Sequence, residues 1–207
     1  MILVLDNQYF APITEFKSLS KSNFIITPIS VLYKKQSFAN RMFLAGSQGI
    51  QDLSIPILGG RSKRQIFKDV KMDHRSNWRL KHWRTIESCY RRSPFFEYYE
   101  KELKELFVLE IEFLWIWNNL LLKWVLNKIG SPALIYTDLD QNLCTTPIND
   151  GNIQVLPKNY KEIWLQSQWE PYLQVFQDKN GFLPNLSILD LIFCLGPEAF
   201  TYLKDKH

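Results

Sequence analysis

Short apolar runs alternate along this chain with stretches in which apolar residues recur every third or fourth position. That alternation predicts strands interleaved with helices. Met1–Leu5 (MILVL) reads as a buried first strand, Ile13–Ser20 as a short helix and Asn23–Thr27 as a second strand. Met42–Ala45 and Leu53–Leu58 alternate like strands around a hairpin turn at Gly46–Gly49, and Val70–Met72 reads as a short strand. Ser76 or Asn77 can cap a helix running to about Arg92, and Pro94 restarts the chain into another. A long helix from about Leu109 to Ile129 ends at Gly130 and Pro132. Ala133–Tyr136 and Tyr172–Phe176 read as strands, with Thr137–Lys158 a polar loop before the second. Asn185–Leu195 is an apolar helix ended by Gly196–Pro197, and Glu198–Leu203 adds a last helical turn. The expected class is α/β, a mixed or mostly parallel sheet flanked by helices. The 207 residues are taken as one domain.

The greasiest stretch, Phe113–Leu126, contains Asn118, Asn119 and Lys123. It falls short of the roughly 20 apolar residues a membrane span needs, so it predicts a buried helix and no membrane insertion. Cys89, Cys144 and Cys194 form no CxxC pair, which argues against a disulfide framework and for a reducing, cytoplasmic setting. The net charge of +4 hides an asymmetry: residues 1–92 carry 16 Lys/Arg against 6 Asp/Glu, and residues 93–207 carry 9 against 15. Such a chain either pairs its halves or turns a basic face to an anionic ligand.

The segment Asn77–Glu100 mixes Trp78, Trp83, Tyr90, Phe95, Phe96, Tyr98 and Tyr99 with Arg79, Lys81, His82, Arg84, Arg91 and Arg92. Cations bind anions and rings stack on sugars or bases, so it reads as a recognition surface. No GxGxxG, P-loop, HExxH or GxSxG signature occurs. Gly59–Gly60 followed by Arg61, Lys63 and Arg64 could hold a phosphate in a basic loop. Of the histidines only His82 falls on a helix among polar groups, either as a general base or as a hydrogen-bonded core residue. Cys89 lies about 10 Å along that helix, too far to act with it. No second ligand sits at metal-binding spacing, so no metal is expected, and no cofactor is indicated. Asn118 either caps a neighbouring strand or faces a ligand. Asp190, inside NLSILDLIF, is either paired with an arginine or positions a substrate or proton.

Several blocks resemble, in order, the WbqC-like protein family, associated with O-antigen and other surface-polysaccharide gene clusters. They are YKKQSFANR at Tyr33–Arg41, LSIP at Leu53–Pro56, Asn77–Glu100, and YLQVF with GFLPNLSILDLIFCLGPEAFTYL at Tyr172–Leu203. The family-like polar positions include Tyr33, Lys35, Gln36, Asn40, Arg41, Trp78, His82, Ser93, Tyr98, Tyr99, Asn118, Asn185, Ser187, Asp190 and Gly196. Two departures are visible. The turn after the first strand, usually like Pro-Tyr-Leu/Phe-Pro, is Asn7-Gln8-Tyr9-Phe10-Ala11-Pro12 here, and Cys194 stands where relatives often carry Asn.

The resemblance implies a cytoplasmic protein of envelope-glycan metabolism. One expectation is a group transferase passing an acyl or aminoacyl unit to an amino sugar or nucleotide sugar. His82 and Asp190 would be its catalytic groups. Tyr33, Lys35, Gln36, Asn40, Arg41, Trp78, Tyr98, Tyr99, Asn118, Asn185 and Ser187 would bind an anionic small molecule such as a nucleotide sugar. A strand, polar turn and helix at the N-terminus is loosely similar to nucleotidyltransferase-like folds. The rival is a non-catalytic module that holds a glycan precursor or a partner enzyme. An enzyme should gather Tyr33–Arg41, His82 and Asn185–Asp190 in one deep cleft. Nucleic acid is not expected, because the C-terminal half is acidic and no reader motif is present.

Overall fold

The computed structural model describes residues 2–19, 22–59, 64–140 and 170–204. Strand β1 (Ile2–Val4) is followed by helix α1 (Ile13–Leu19) and strand β2 (Phe24–Thr27). Strand β5 (Leu134–Thr137) returns much later and pairs with β2, giving a parallel sheet in the order β1–β2–β5. Ile25 stands beside Leu3 on one side and Ile135 on the other. The central strand is buried at Ile25, Ile26 and Thr27, as expected of a parallel strand covered on both faces.

Strands β3 (Arg41–Gly46) and β4 (Gly49–Ser54) form a separate antiparallel hairpin. Its two-residue loop closes at the Gly46–Gly49 pair, and Gly49 takes φ +97°, a conformation side chains resist. The second hairpin strand therefore starts directly after the turn, and not at Leu53 as the sequence pattern suggests. Two other strand expectations are corrected. Val70–Met72 makes only single bridges, Ile57 to Met72 and Lys71 to Phe113. Tyr172–Phe176 enters no ladder; its alternation reflects side chains anchored one at a time, described below.

The helices are α2 (Trp78–Tyr90), α3 (Phe96–Val108), α4 (Leu114–Lys128), α5 (Gln177–Asn180), α6 (Ile188–Leu195) and α7 (Ala199–Lys204). Leu109 and Phe113 are extended, so the long helix expected from Leu109 starts only at Leu114. No helix among the described residues is long and apolar enough to cross a membrane.

One contiguous cluster of buried side chains runs from Leu5 to Leu203 and includes the rings of Trp78, Trp83, Tyr90, Phe96 and Trp117. The mixture of cations and rings in α2 is thus sorted by helical period. Trp78, His82, Ile86, Cys89 and Tyr90 face the core, while Lys81, Arg84, Arg91 and Arg92 are exposed. Trp83 stacks on Phe96, and Tyr90 and Phe96 both meet Phe193 of α6. The halves of unlike charge meet in the Lys71–Glu112 ion pair, whose side chains are about half exposed. Such a pair contributes under about 1 kcal/mol.

Candidate functional site

The three parallel strands end together, and their carboxyl ends are tied by polar side chains. Asn7, just past β1, donates from Nδ2 to the side-chain oxygen of Asn119 on α4 at 2.7 Å. Thr27, the last residue of β2, places its hydroxyl 3.1 Å from the same oxygen and 3.2 Å from the Tyr136 carbonyl of β5. Asp138, just past β5, accepts from the backbone of Ile29 and Ser30 beyond β2 at 2.8 and 3.0 Å. Asp140 accepts from the Thr137 amide and hydroxyl. The Asn7, Thr27 and Asp138 bonds join strand ends to other elements, while Asp140 closes the turn after β5, so the rim is held from several sides.

An open crevice of about 460 Å³ lies on this rim, lined by Trp115, Ile116, Asn119 and Lys123 of α4 and by Ile135, Tyr136, Thr137 and Asp140. That volume suits a small-molecule ligand. In open parallel sheets the carboxyl ends of the strands are where ligands bind. Asn119 and Lys123 are one helical turn apart on one face of α4. Because the Asn119 oxygen is engaged by Asn7 and Thr27, its Nδ2 group is the part left to a ligand. Lys123 is exposed and adds a cation. Trp115 and Tyr136 offer apolar ring surface. The crevice can therefore donate to an anionic group at one end and stack on a ring at the other.

A second, small cavity adjoins the same asparagine. It is lined by Asp6, Asn7, Gln8, Asn118 and Asn119 together with apolar residues such as Phe10, Phe16 and Leu122. Asn118 is buried, and its Nδ2 donates to the Ala39 carbonyl at 2.7 Å. It thus ties α4 to the loop before β3. Among the sequence-expected site residues it alone borders either cavity.

His82 is buried, with Nδ1 2.9 Å from the Tyr9 hydroxyl and its ring against Trp78. Burial pushes its pKa down to about 4, and a bond to the Ser54 carbonyl opposes that shift. Burial favours the neutral imidazole, which Tyr9 meets at Nδ1 and Trp78 meets edge-on. Asp190 is fully buried on α6 and accepts from the Tyr172 hydroxyl at 2.5 Å and from Gln174 Nε2 at 2.7 Å. Burial raises its pKa despite those bonds. The Tyr90 hydroxyl also favours the ionised form, though Oδ1 meets no donor at hydrogen-bond distance. No arginine pairs with it, so the ion pair considered from the sequence is replaced by neutral donors. His82 and Tyr90 stand about 12 Å apart along α2, which puts the surroundings of His82 and Asp190 at opposite ends of that helix.

The remaining expected residues are dispersed. Tyr33 stacks on Phe67 with rings nearly parallel, and burial raises its pKa to about 12. Lys35 and Gln36 are exposed, with Gln36 at φ +55°. Asn40 donates to the Ile55 carbonyl at 2.8 Å. Arg41 pairs with Asp52 at 3.2 Å and donates to Ser54. Trp78 is 3% exposed. Tyr98 is exposed, and Tyr99 meets Trp124 edge-on. Asn185 accepts from the Thr14 amide and hydroxyl, fixing the start of α1. Ser187 caps α6 by accepting from the Leu189 amide. Cys89 and Cys194 are buried free thiols with raised pKa values. Gly60, Arg61 and Lys63 of the basic loop, Cys144, His207 and most of the Thr137–Lys158 loop lie outside the described residues. Neither cavity is lined by Tyr33, His82 or Asp190. Among the described residues, no group of three or more His, Cys, Asp or Glu could hold a metal ion.

Comparison with known proteins covers the blocks up to Glu100 and leaves Tyr172–Leu203 beyond the family match. The model of the WbqC-like protein family matches residues 8–146. An uncharacterized protein of Mycobacterium tuberculosis is 26% identical over 195 residues, which covers 83% of this chain and 84% of that protein. No solved structure matches.

Proposed function

The chain belongs to the WbqC-like protein family, and from that footing we propose that it is a group transferase of surface-polysaccharide biosynthesis. Its acceptor would be an amino sugar or nucleotide sugar, and the transferred unit acyl or aminoacyl. The observation that carries this is the crevice of about 460 Å³ between α4 and the carboxyl end of the edge strand β5. Asn119 Nδ2 and Lys123 Nζ would take the ligand's phosphate or carboxylate, and Trp115 and Tyr136 its base or sugar ring. The strand–turn–helix start is loosely similar to nucleotidyltransferase-like folds, an analogy of fold alone. His82 and Asp190 enter as positioning groups. His82 holds Tyr9 and with it the turn that carries Asn7; Asp190 holds Tyr172 and Gln174 against α6. A thermal-shift screen of nucleotide sugars and acyl or aminoacyl donors tests the proposal. Stabilisation by a nucleotide sugar, followed by group transfer when a donor is added, is the expected result.

A non-catalytic module that holds a glycan precursor is favoured by one observation. Both expected catalytic groups are buried and engaged by protein partners, and neither borders the crevice. Binding of a nucleotide sugar without transfer from any donor would decide for the module.

A further inference from the structure

Helix α4 carries apolar side chains on a face that solvent reaches. Leu114, Trp117, Leu121 and Val125 are buried and point to the core. The stripe turned away from them holds Ile116, Asn119, Leu120, Lys123 and Asn127. A helix lying on a core fills that stripe with polar residues. Here Ile116 is 38% exposed and Leu120 is only partly buried. The departure is local. Glu112 before the helix, and Lys123 and Asn127 towards its end, are polar and exposed. The apolar positions of the stripe coincide with the crevice, where Ile111 and Trp115 lie beside them and Ile135 lines the β5 side.

The lining is also graded along the helix. Ile111, Trp115 and Ile116 come first, Asn119 and Leu120 follow, and Lys123 comes last. From Trp115 to Lys123 the helix rises roughly 12 Å, the reach of an unbranched chain of medium length. Apolar walls with a few polar groups at one end suit a ligand with an apolar tail and an anionic head. An aminoacyl unit would instead bring an ammonium against Trp115 and Ile116. The acid on the lining, Asp140, already accepts from the Thr137 amide and hydroxyl. We propose that the crevice takes an anion bearing an unbranched apolar chain, the anion beside Asn119 and Lys123 and the chain along Leu120, Ile116 and Trp115. Tyr136, on the β5 side, is left for a ring. The inference rests on the crevice being the ligand site, and it narrows the transferred unit to acyl.

The test is calorimetric titration of butyl, hexyl and octyl phosphate, all below micelle-forming concentration, into the full chain, Ile116→Ser and Lys123→Ala. Full burial of two methylenes strengthens binding about fifteenfold. In a crevice open to solvent the expected gain is about fivefold for each two methylenes added. Ile116→Ser should flatten that rise and leave butyl phosphate unchanged. Lys123→Ala should weaken all three equally and keep the rise. Both residues are exposed, so both variants should fold. Affinity independent of chain length overturns the inference, as does a rise that Ile116→Ser retains. A nucleotide sugar that binds while the alkyl phosphates do not would overturn it too, and would leave the proposed function standing. Chain-dependent binding without any nucleotide-sugar binding would support it and remove the proposed acceptor. Octanoate and 2-aminooctanoate form a further arm. Tighter binding of the amino acid would assign Asp140 to an ammonium and overturn the acyl chain. Ile116→Ser that turns a dimer into a monomer, with the rise unchanged, would assign the apolar face to a second copy.

Discussion

Asn7 and Asn119, 112 positions apart in sequence, are joined by a 2.7 Å hydrogen bond that fixes the orientation of the Asn119 amide. Thr27 reaches the same oxygen from β2. Asn119→Ala would remove that shared acceptor. Asn7 would keep the Trp115 carbonyl and Thr27 the Tyr136 carbonyl. The expected loss of stability is therefore modest, about 1 kcal/mol, measurable by urea denaturation. Ligand affinity should fall much more than stability. Loss of folding with no separable loss of binding would make Asn119 structural only.

His82 predicts a pH signature. Its folded pKa, about 4, lies below the ordinary 6.5 because the ring is buried. The unfolded chain therefore takes up the proton first as pH falls. The stability contributed by the neutral ring is complete above about 6.5 and is lost as pH drops towards 4. It amounts to roughly 3 kcal/mol. Glu15, pushed up to about 7 chiefly by burial, works in the opposite sense: its contribution is lost as pH rises from 4.5 towards 7. The two overlap, so the signature belongs to the difference between wild type and His82→Gln. That difference should shrink as pH falls from 7 to 4, and a constant difference would refute the assignment.

Asp190 predicts a contrast between two substitutions. Asp190→Asn keeps an oxygen for Tyr172 and Gln174, and the raised pKa already marks a carboxyl whose charge is disfavoured. A cost near 1 kcal/mol is expected. Asp190→Ala takes the acceptor from the buried Tyr172 hydroxyl and from one Gln174 N–H, while Gln174 keeps the Leu183 carbonyl, and should cost about 3 kcal/mol. Equal costs by denaturant unfolding would contradict the hydrogen-bonded role.

Gly196 predicts a backbone effect. It ends α6 at φ +54°, and a methyl group there would lie 2.5 Å from the Phe95 ring. Gly196→Ala should lose about 2 kcal/mol or more from strain and clash together. Phe95→Ala in the same chain should recover the clash part, read as coupling in a double-mutant cycle.

Much of the scaffold is legible in the sequence because it rests on local period. The helices around Trp78–Tyr90 and Ile188–Leu195, the strands at the N-terminus and the Gly46–Gly49 turn all announce themselves through spacing and turn chemistry. What misleads is composition read without its period. The rings and cations of Asn77–Glu100 look like one surface, but helical repetition sends most of the rings inward and the cations outward. Tyr172–Phe176 alternates because Tyr172 and Gln174 are anchored to Asp190, with no neighbouring strand. The crevice was half visible. Asn118–Asn119 stands out as a polar pair in an apolar helix, and Thr27, Thr137 and Asp138 sit at strand ends. That the three ends meet depends on β5 pairing with β2 across more than 100 residues, which no local pattern encodes.

The most direct test of the account is calorimetric titration of nucleotide sugars into wild type and Lys123→Ala at low and moderate salt. Lys123 is exposed, so its loss should leave the fold intact. The account predicts saturable binding by wild type, weakened about tenfold or more by Lys123→Ala and by added salt. Binding that Lys123→Ala leaves unchanged, or no binding of any nucleotide sugar, would contradict a ligand site between α4 and the carboxyl end of β5.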